Sequence, residues 1–341
     1  MTSASTQSGV TVLSKLDRVR DEIGDLFPQS AMVRNRSIAV LLPCYNEEAA
    51  IASVIEGFQR ALPGARIYVY DNNSTDGTYD AAAAAGAIVR REMLQGKGNV
   101  VRRMLADIDA DIYILADGDA TYDPTAAGAL IEALVTRNLD MMVGTRNGGD
   151  GAFPRGHRFG NQLFNRIMTH MFGNGFTDIL SGYRVLSRRF AKSFPVTSSG
   201  FEIEAELSVH ALDLKIATGE MPLPYATRPE GSQSKLRTYR DGTRILLTLI
   251  KLYKETRPLR FFSAIGAMLL IICAGLGAPL IVTYLETGLV PRFPTAILAA
   301  AIAQLGFLSF AIGFVLEAIA QGRREAKRMR YLDLDAVANK P

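Results

Sequence analysis

The sequence predicts an α/β fold, in which a mostly parallel, Rossmann-like sheet carries helices on both faces and is followed by an amphipathic helix and two transmembrane helices. Three observations predict it. Short apolar runs alternate with helical patterns over the first two thirds of the 341 residues, which is typical of a parallel sheet. Polar side chains follow several of these runs, where the predicted strands end. Two long, nearly uncharged segments occupy the last third.

The predicted elements of the first two thirds follow one another at short intervals. Residues 1–10 are rich in Ser and Thr, and residues 12–27 have apolar side chains at helical spacing, which predicts a short amphipathic helix. The predicted strands are residues 37–43, 66–70, a short strand at Ile88, and residues 112–116, 140–145 and 215–223. The predicted helices are residues 47–62, 78–86, 96–108, 160–172 and one that starts near Phe201.

The last third of the chain has the composition of a membrane protein. Residues 243–254 predict an amphipathic helix that suits the membrane interface. Residues 261–285 and 295–320 are long enough to span a bilayer of ~30 Å. Lys and Arg flank this pair on both outer sides, so the positive-inside rule predicts that the α/β domain and both termini are cytoplasmic, and we expect an inner (cytoplasmic) membrane protein.

These composition changes predict the domain boundaries. We expect an N-terminal tail and helix (1–36), a catalytic domain (37–238), an interfacial helix (239–258), two transmembrane helices (259–322) and a cytoplasmic tail (323–341). The tail after Arg330 is polar, and we expect it to be loose.

Charge and cysteine usage exclude some classes of function. The chain has 38 Lys and Arg against 34 Asp and Glu, and a net charge of +4 is too balanced to predict a nucleic-acid partner. Cys44 and Cys273 lie in different kinds of segment, so no disulfide framework is expected and a reducing compartment fits. The three histidines lack the spacing of a zinc site.

Two acidic residues, Asp117 and Asp119, directly follow the apolar run 112–116. Two carboxylates this close repel each other unless a cation lies between them, which favours Mg²⁺ or Mn²⁺ shared with a substrate's phosphates. The alternative is a solvated acidic turn, which a single short pattern would favour. Polar residues also follow the strands that end near Pro43 and Asp71, and three such strand ends together would form a nucleotide-sized crevice.

Two further motifs have both a structural and a functional interpretation. The stretch from Asp71 to Asp76 could form an Asx-type turn that caps the next helix, and we expect Asp76 to cap and Asp71 to bind nucleotide. The Gly96-Lys97-Gly98 turn is either an ordinary helix start or a place where the backbone leaves room for a ligand beside a positive charge.

Together these motifs resemble the family 2 inverting glycosyltransferases with a GT-A fold. With Ser181-Gly-Tyr-Arg184 and the two spans, the chain is similar to the polyprenyl-phosphate glycosyltransferases, the group of dolichol-phosphate mannose synthase and bacterial undecaprenyl-phosphate sugar transferases. The resemblance implies metal-dependent, inverting transfer of one sugar from a nucleotide sugar, with UDP favoured, to undecaprenyl or dolichyl phosphate. Mg²⁺ or Mn²⁺ is the implied cofactor.

The resemblance also implies roles for residues of this chain. The implied nucleotide-binding residues are Pro43, Tyr45, Glu47, Asp71, Asn73, Lys97 and Asp117. The implied metal ligands are Asp117, Asp119 and Thr121, the last at a position where relatives often have Gln. The implied acceptor-phosphate residues are Arg146, Arg155, Arg158, Ser234 and Lys235, and the implied catalytic residues are Asp117, Asp119, Arg184 and Lys235. For each single Arg, a solvated surface position or a lipid-headgroup contact is the alternative.

A prenyl phosphate is already an anion, so this acceptor needs no general base, and we assign none among Glu202, Glu204 and Glu206.

A processive polysaccharide synthase is a second hypothesis, but such relatives carry a Gln-x-x-Arg-Trp motif and Trp is absent here. A non-catalytic membrane scaffold is a third. Gly residues in both spans allow close helix contacts and hint at a homo-oligomer.

Overall fold

The computed structural model describes residues 36–147, 155–173, 175–226 and 238–337. The chain divides into two compact units, one of Met1–Ile245 with Arg328–Pro341 and one of Leu246–Lys327. The predicted helix at residues 12–27 lies outside the described residues.

The first unit contains a seven-stranded sheet. Its strands are β1 (Ile38–Cys44), β2 (Arg66–Asp71), β3 (Ile88–Arg91), β4 (Ile112–Leu115), β5 (Met141–Asn147), β6 (Arg184–Ser187) and β7 (Thr218–Pro224). They lie in the order β3-β2-β1-β4-β6-β5-β7. All neighbouring pairs are parallel except those that β6 makes with β4 and β5. The predicted mostly parallel α/β sheet is therefore confirmed.

Helices connect these strands, and three further helices follow the last strand in the described part of the chain. They are α1 (Glu48–Ala61), α2 (Thr78–Ala84), α3 (Lys97–Asp107), α4 (Ala127–Thr136), α5 (Arg155–Phe172), α6 (Arg188–Ser193), α7 (Ile203–Leu214), α8 (Thr238–Thr256), α9 (Pro258–Thr287) and α10 (Phe293–Leu332). A short 3₁₀ turn at Pro124–Ala126 precedes α4.

The central strands of the sheet are buried on both faces. All four residues of β4 are buried, and so are Val40, Leu41 and Leu42 of β1. Strands covered by helices on both sides have no solvent-facing positions, so they appear in the sequence as continuous apolar runs. The core beside β1 is completed by α1, which buries Ile51 and Phe58.

The antiparallel strand β6 was not predicted from the sequence. Its four residues lie between a loop and α6, too few to show a clear period. Because β6 runs opposite to β4, with Arg184 opposite Leu115, its first residue lies at the edge of the sheet where β4 ends. The Ser181-Gly-Tyr-Arg184 motif is thereby brought to the same edge as Asp117.

The second unit contains α9 and most of α10, which include the two predicted spans. Both helices are long and apolar enough to cross a membrane, and in their most apolar windows only 11% and 17% of the residues are buried. They are thus unlike the core helices of a soluble domain. The two helices approach closely at Gly266 and Gly306, where a Cβ on Gly266 would lie 2.9 Å from the carbonyl oxygen of Gly306.

The expectation of a loose tail after Arg330 is wrong for the residues described. The phenol of Tyr331 donates to Asp140 Oδ2 at 2.7 Å, and the Arg189 guanidinium lies 4.6 Å from the centre of the Tyr331 ring. Val337 is 5% exposed and packs into the core. A buried carboxylate that can receive a phenol explains why this polar segment docks on the first unit.

Candidate active site

Three polar strand ends lie side by side in the order β2, β1, β4, as the sequence predicts. Pro43 lies in β1, and Tyr45 follows that strand with 37% of its surface exposed. Asp71 ends β2, and Asp117 follows β4. The carboxyl ends of adjacent parallel strands are the usual place for ligands in open α/β sheets, so this edge is the candidate active site.

The polar residues at the end of β2 and after it bond to neighbouring loop residues. Asp71 is nearly buried, and its Oδ1 accepts from the Ser74 backbone amide at 3.3 Å. The amide group of Asn73 donates to the Met93 carbonyl oxygen at 2.8 Å and to Gln95 Oε1 at 3.2 Å. The Asn73 side chain therefore holds the loop after β3. Its nucleotide-binding role stays a prediction that this conformation does not display.

Asp76 has the capping position that the sequence predicts. Its Oδ1 accepts from the backbone amide of Thr78 at 3.0 Å, and its Oδ2 accepts from the amide of Glu48 at 3.3 Å. Asp76 therefore ties together the first turns of α1 and α2. These bonds to the charged form lower the pKa of Asp76 although burial opposes the charge.

Lys97 lies between two carboxylates, Asp117 and Glu204. Its ammonium is 2.5 Å from Asp117 Oδ1 and 2.5 Å from Glu204 Oε1. The side chains of Lys97 and Glu204 are 9% and 5% exposed. Burial opposes the charge on Lys97, but the two carboxylates raise its pKa above the ordinary value. Burial raises the pKa of Glu204, and Lys97 limits that rise. The arrangement fixes a cation at the crevice beside Asp117.

The two glycines beside Lys97 have a structural reason that differs from the predicted one. A Cβ on Gly96 would lie 2.2 Å from the carbonyl oxygen of Ser199, and a Cβ on Gly98 would lie 2.3 Å from that of Ser198. The Asn99 amide also donates to the Ser199 carbonyl at 3.3 Å. The space that the glycines leave is therefore filled by the protein's own backbone in the segment before α7.

Asp119 is nearly buried and is held by Thr121. The Thr121 hydroxyl donates to Asp119 Oδ1 at 2.6 Å, and the Thr121 amide donates to the same oxygen at 3.2 Å. Thr121 itself is 2% exposed. Its hydroxyl thus contacts a predicted metal ligand, and its own role as a third ligand stays a prediction.

The two aspartates fit a divalent cation. Among the described residues, no group of three His, Cys, Asp or Glu side chains could hold a metal ion by itself. Mg²⁺ is commonly held by one or two carboxylates together with substrate phosphates and water, which is the donor set that this crevice offers. The Asp117 side chain is 30% exposed and can meet such a ligand.

The Ser181-Gly-Tyr-Arg184 motif shapes the space around Asp117. A Cβ on Gly182 would lie 2.6 Å from Asp117 Oδ2, so only glycine leaves room for this carboxylate. The amide of Gly182 donates to the Tyr122 hydroxyl at 2.8 Å. The Ser181 hydroxyl donates to the Gly144 carbonyl at 2.5 Å. The motif therefore packs against the predicted metal ligand Asp117 and holds the neighbouring backbone in place.

Arg184 is enclosed by the protein's own groups. It is fully buried, and its guanidinium donates to the carbonyl oxygens of Ser181 at 3.0 Å and Ile179 at 2.9 Å and to the Ser208 hydroxyl at 3.0 Å. Burial lowers the pKa of Arg184 to about 10. In this conformation Arg184 holds the loop before β6, and its catalytic role stays a prediction.

Arg146 is paired with Asp178. Its Nε and Nη2 lie 2.8 and 2.6 Å from the two carboxylate oxygens, and its guanidinium lies 5.8 Å from the centre of the Tyr225 ring. Burial opposes its charge, but Asp178 raises the pKa of Arg146 above its ordinary value. Arg155 and Arg158 lie in α5, and Ser234 and Lys235 lie outside the described residues.

Sequence reasoning missed Glu204, Tyr122, Tyr225 and Asn72 as supports of the site. Asn72 donates to the carbonyl oxygens of Glu92 and Leu94 and accepts from the Gly96 amide at 2.6 Å. A lysine at the start of a buried helix needs carboxylate partners, and that need is the one signal that could have directed attention to Glu204. The aromatic contacts carry no such signal in the sequence.

Comparison with known proteins gives consistent matches. Residues 39–194 match the family described as glycosyl transferase family 2. The chain is 38% identical over 251 residues to glycosyltransferase AglJ of Haloferax volcanii, covering 73% of this chain and 82% of that one. It is 28% identical over 221 residues to a dolichyl-phosphate hexose transferase of the same organism, covering 64% of this chain and 95% of the relative.

A solved structure with a similar fold contains ligands. It is glucosyl-3-phosphoglycerate synthase of Mycobacterium tuberculosis in complex with Mn²⁺, UDP-glucose and phosphoglyceric acid. The TM-score is 0.56 at 25% identity, and the match covers 66% of this chain and 82% of that one.

Proposed function

The chain belongs to glycosyl transferase family 2, and we propose that it transfers one sugar from a nucleotide sugar to a polyprenyl phosphate, with inversion, at the cytoplasmic face of the membrane. UDP is the favoured nucleotide, and undecaprenyl or dolichyl phosphate is the acceptor. The donor would bind at the ends of β1, β2 and β4, where Tyr45 is exposed beside Asp71.

The proposed binding of the nucleotide sugar rests mainly on Asp117 and Asp119, which follow β4, and on Lys97, which pairs with Asp117. A divalent cation held by the two aspartates would neutralise charge on the departing nucleoside diphosphate. Lys97 supplies a fixed positive charge beside the same carboxylate. Preorganised charges that stabilise a leaving group commonly lower the barrier of such reactions more than any other single effect.

The proposed binding of the acceptor is supported by the position of Ala226, the last described residue before the segment 227–237. The amide of Ala226 donates to the Thr121 carbonyl at 3.0 Å, two residues from Asp119. The segment 227–237 starts at this point, and it contains the predicted phosphate-binding residues Ser234 and Lys235. Cations near this position would hold an acceptor phosphate in line with the sugar's anomeric carbon.

Two of the three acids at the start of α7, Glu204 and Glu206, are committed to other contacts, which supports an acceptor that is already an anion. Glu204 pairs with Lys97. Glu206 accepts from the backbone amides of Thr197 at 2.8 Å and Ser198 at 2.9 Å. A hydroxyl acceptor would need a base to remove its proton, whereas a phosphate brings its own nucleophilic oxygen.

The relative named as a dolichyl-phosphate hexose transferase supports a prenyl phosphate as the acceptor, and the neighbour with Mn²⁺ and UDP-glucose supports a metal and UDP. The two apolar helices α9 and α10 would hold the enzyme in the membrane that contains this acceptor. The basic residues that flank the pair support the cytoplasmic orientation.

The proposal is tested with the full-length protein purified in detergent. It is incubated with Mn²⁺, undecaprenyl or dolichyl phosphate, and a panel of radiolabelled UDP- and GDP-sugars that includes uronic acids and amino sugars. We expect one donor to yield a labelled, organic-extractable lipid, and the Asp119→Asn variant to yield none. Absence of labelled lipid with every donor, from protein that melts cooperatively, would contradict the proposal.

A further inference from the structure

The ammonium of Lys97 occupies one side of the predicted metal ligand Asp117. Its Nζ lies 2.5 Å from Asp117 Oδ1 and 2.5 Å from Glu204 Oε1. The other oxygen of Asp117, Oδ2, lies 2.6 Å from the position that a Cβ on Gly182 would take. A metal cation that binds the Asp117 carboxylate would therefore meet a positive charge that is already in contact with it, and like charges at such distances repel each other.

Glu204 keeps the ammonium of Lys97 in this place. The Glu204 side chain is 5% exposed, whereas the Asp117 side chain is 30% exposed and reaches solvent. If Lys97 left Glu204, a buried carboxylate would lose its ion-pair partner, which is strongly unfavourable. Lys97 can give up Asp117 at a lower cost, because water or a bound cation can then meet that carboxylate. The ammonium is therefore anchored at Glu204 and exchangeable at Asp117.

The backbone that carries Lys97 is held by the segment before α7. Glu206 accepts from the backbone amides of Thr197 at 2.8 Å and Ser198 at 2.9 Å, and from the hydroxyl groups of the same two residues. This segment fits so closely against the start of α3 that a Cβ on Gly98 would clash with the Ser198 carbonyl oxygen. Lys97 is thus positioned through its backbone as well as through its ammonium.

We propose that the buried Lys97–Glu204 pair is a positioning element that makes metal binding at Asp117 depend on the nucleotide. This inference rests on the proposed function. Without nucleotide, the ammonium held by Glu204 is the counter-ion of Asp117 and opposes a metal cation there. A nucleoside diphosphate has enough negative charge to attract both the cation and Lys97. Each ligand then strengthens the binding of the other by the same factor, as thermodynamic linkage requires.

The test measures binding by the full-length protein in detergent and not turnover. Free Mn²⁺ is counted by electron paramagnetic resonance, first without nucleotide and then with saturating UDP or GDP, and the Mn²⁺ that the nucleotide binds without protein is subtracted. The ratio of the two Mn²⁺ affinities is the coupling between metal and nucleotide. Lys97→Met/Glu204→Gln is the main variant, because it removes both charges and leaves the net charge unchanged. Lys251→Met, at an exposed position of α8, is the control.

We expect the double variant to bind Mn²⁺ without nucleotide about fivefold more tightly than wild type, because the opposing ammonium is gone, and its coupling to UDP or GDP to fall about tenfold. Glu204→Gln alone should act in the opposite direction. Lys97 then pairs with Asp117 only, so Mn²⁺ without nucleotide should bind about fivefold more weakly than in wild type. The control should keep both wild-type values.

Three results would overturn the inference alone. They are wild-type Mn²⁺ affinity of the double variant without nucleotide, wild-type coupling in that variant, and wild-type Mn²⁺ affinity of Glu204→Gln. Wild-type protein that binds neither UDP nor GDP in a metal-dependent way would instead overturn the proposed function, and this inference with it. Cooperative melting curves show that each variant is folded.

Discussion

Replacing Lys97 with methionine should destabilise the protein in a pH-dependent way. Methionine keeps the length of the side chain and removes its charge, which leaves Glu204 buried without its ion-pair partner. Asp117 is 30% exposed and keeps contact with water. Glu204 is 5% exposed, and burial already raises its pKa from the ordinary value even with Lys97 present. We therefore expect Glu204 to take up a proton in the folded variant.

The ordinary pKa sets the magnitude of this effect. The unfolded chain ionises Glu204 near pH 4.5, so each pH unit above that value costs the protonated folded state about 1.4 kcal/mol. At pH 7 the cost reaches about 3.4 kcal/mol, which corresponds to a fall in Tm of roughly 7–14 °C. At pH 5.5 it falls to about 1.4 kcal/mol. Because the folded variant binds the extra proton, its stability decreases as the pH rises.

The wild-type protein should lack most of this pH dependence. The raised pKa of Lys97 contributes stability that is fully present below the ordinary lysine pKa of 10.5, so it does not change between pH 5.5 and 8. Thermal melts of wild type, Lys97→Met and Lys97→Met/Glu204→Gln across this range measure the difference. The exposed Lys251→Met substitution is the control. The reasoning is refuted if the melting-temperature deficit of Lys97→Met is the same at pH 5.5 and pH 8, or if adding Glu204→Gln leaves the pH dependence in place.

Three further substitutions test separate contacts. Asp119→Asn should weaken Mn²⁺-dependent nucleotide binding by calorimetry on the order of 100-fold, and an excess of EDTA should have the same effect on wild type. Gly98→Ala should destabilise the protein by about 1–3 kcal/mol in thermal melts, since its Cβ would meet a backbone carbonyl at 2.3 Å, while Gly128→Ala, with nothing within 4 Å, should not. Tyr331→Phe should cost about 1–3 kcal/mol in denaturant unfolding, because Asp140 loses a donor; unchanged stability would show that the tail does not dock in solution.

The spacing of apolar residues and the polar residues that follow the strands were sufficient to predict most of the fold. A buried strand such as β4 is an unbroken apolar run, and the polar residues after it mark the edge where ligands bind. The strand β6 and the docking of the tail were not predictable in this way. Both depend on long-range pairing, of Arg184 with Leu115 and of Tyr331 with Asp140, and a single sequence carries no local signal for such pairs.

The sequence predicted which residue types occur at the candidate site. In the structure, some of these residues contact other parts of the protein and not the open crevice. Lys97 pairs with Asp117 just after β4, and Asp119 lies two residues further along the chain, while their predicted roles stay predictions. Arg184 and Asn73 match motif positions, but their side chains hold loops in place. A sequence pattern records that an arginine or an asparagine occurs at a position and not which way its side chain points, so direct and supporting residues cannot be separated without coordinates.

The Gly-Lys-Gly turn shows the physical basis of the distinction between residues that contact a ligand and residues that support the site. Glycine occurs wherever another group approaches the backbone closely, and the approaching group can be a ligand's phosphate or the protein's own carbonyl. At Gly96 and Gly98 it is the carbonyls of Ser199 and Ser198. That contact brings the segment before α7 against the start of α3, and Glu204 then reaches Lys97. The glycines thus serve the site indirectly: they let two segments pack closely enough to place a buried cation beside Asp117.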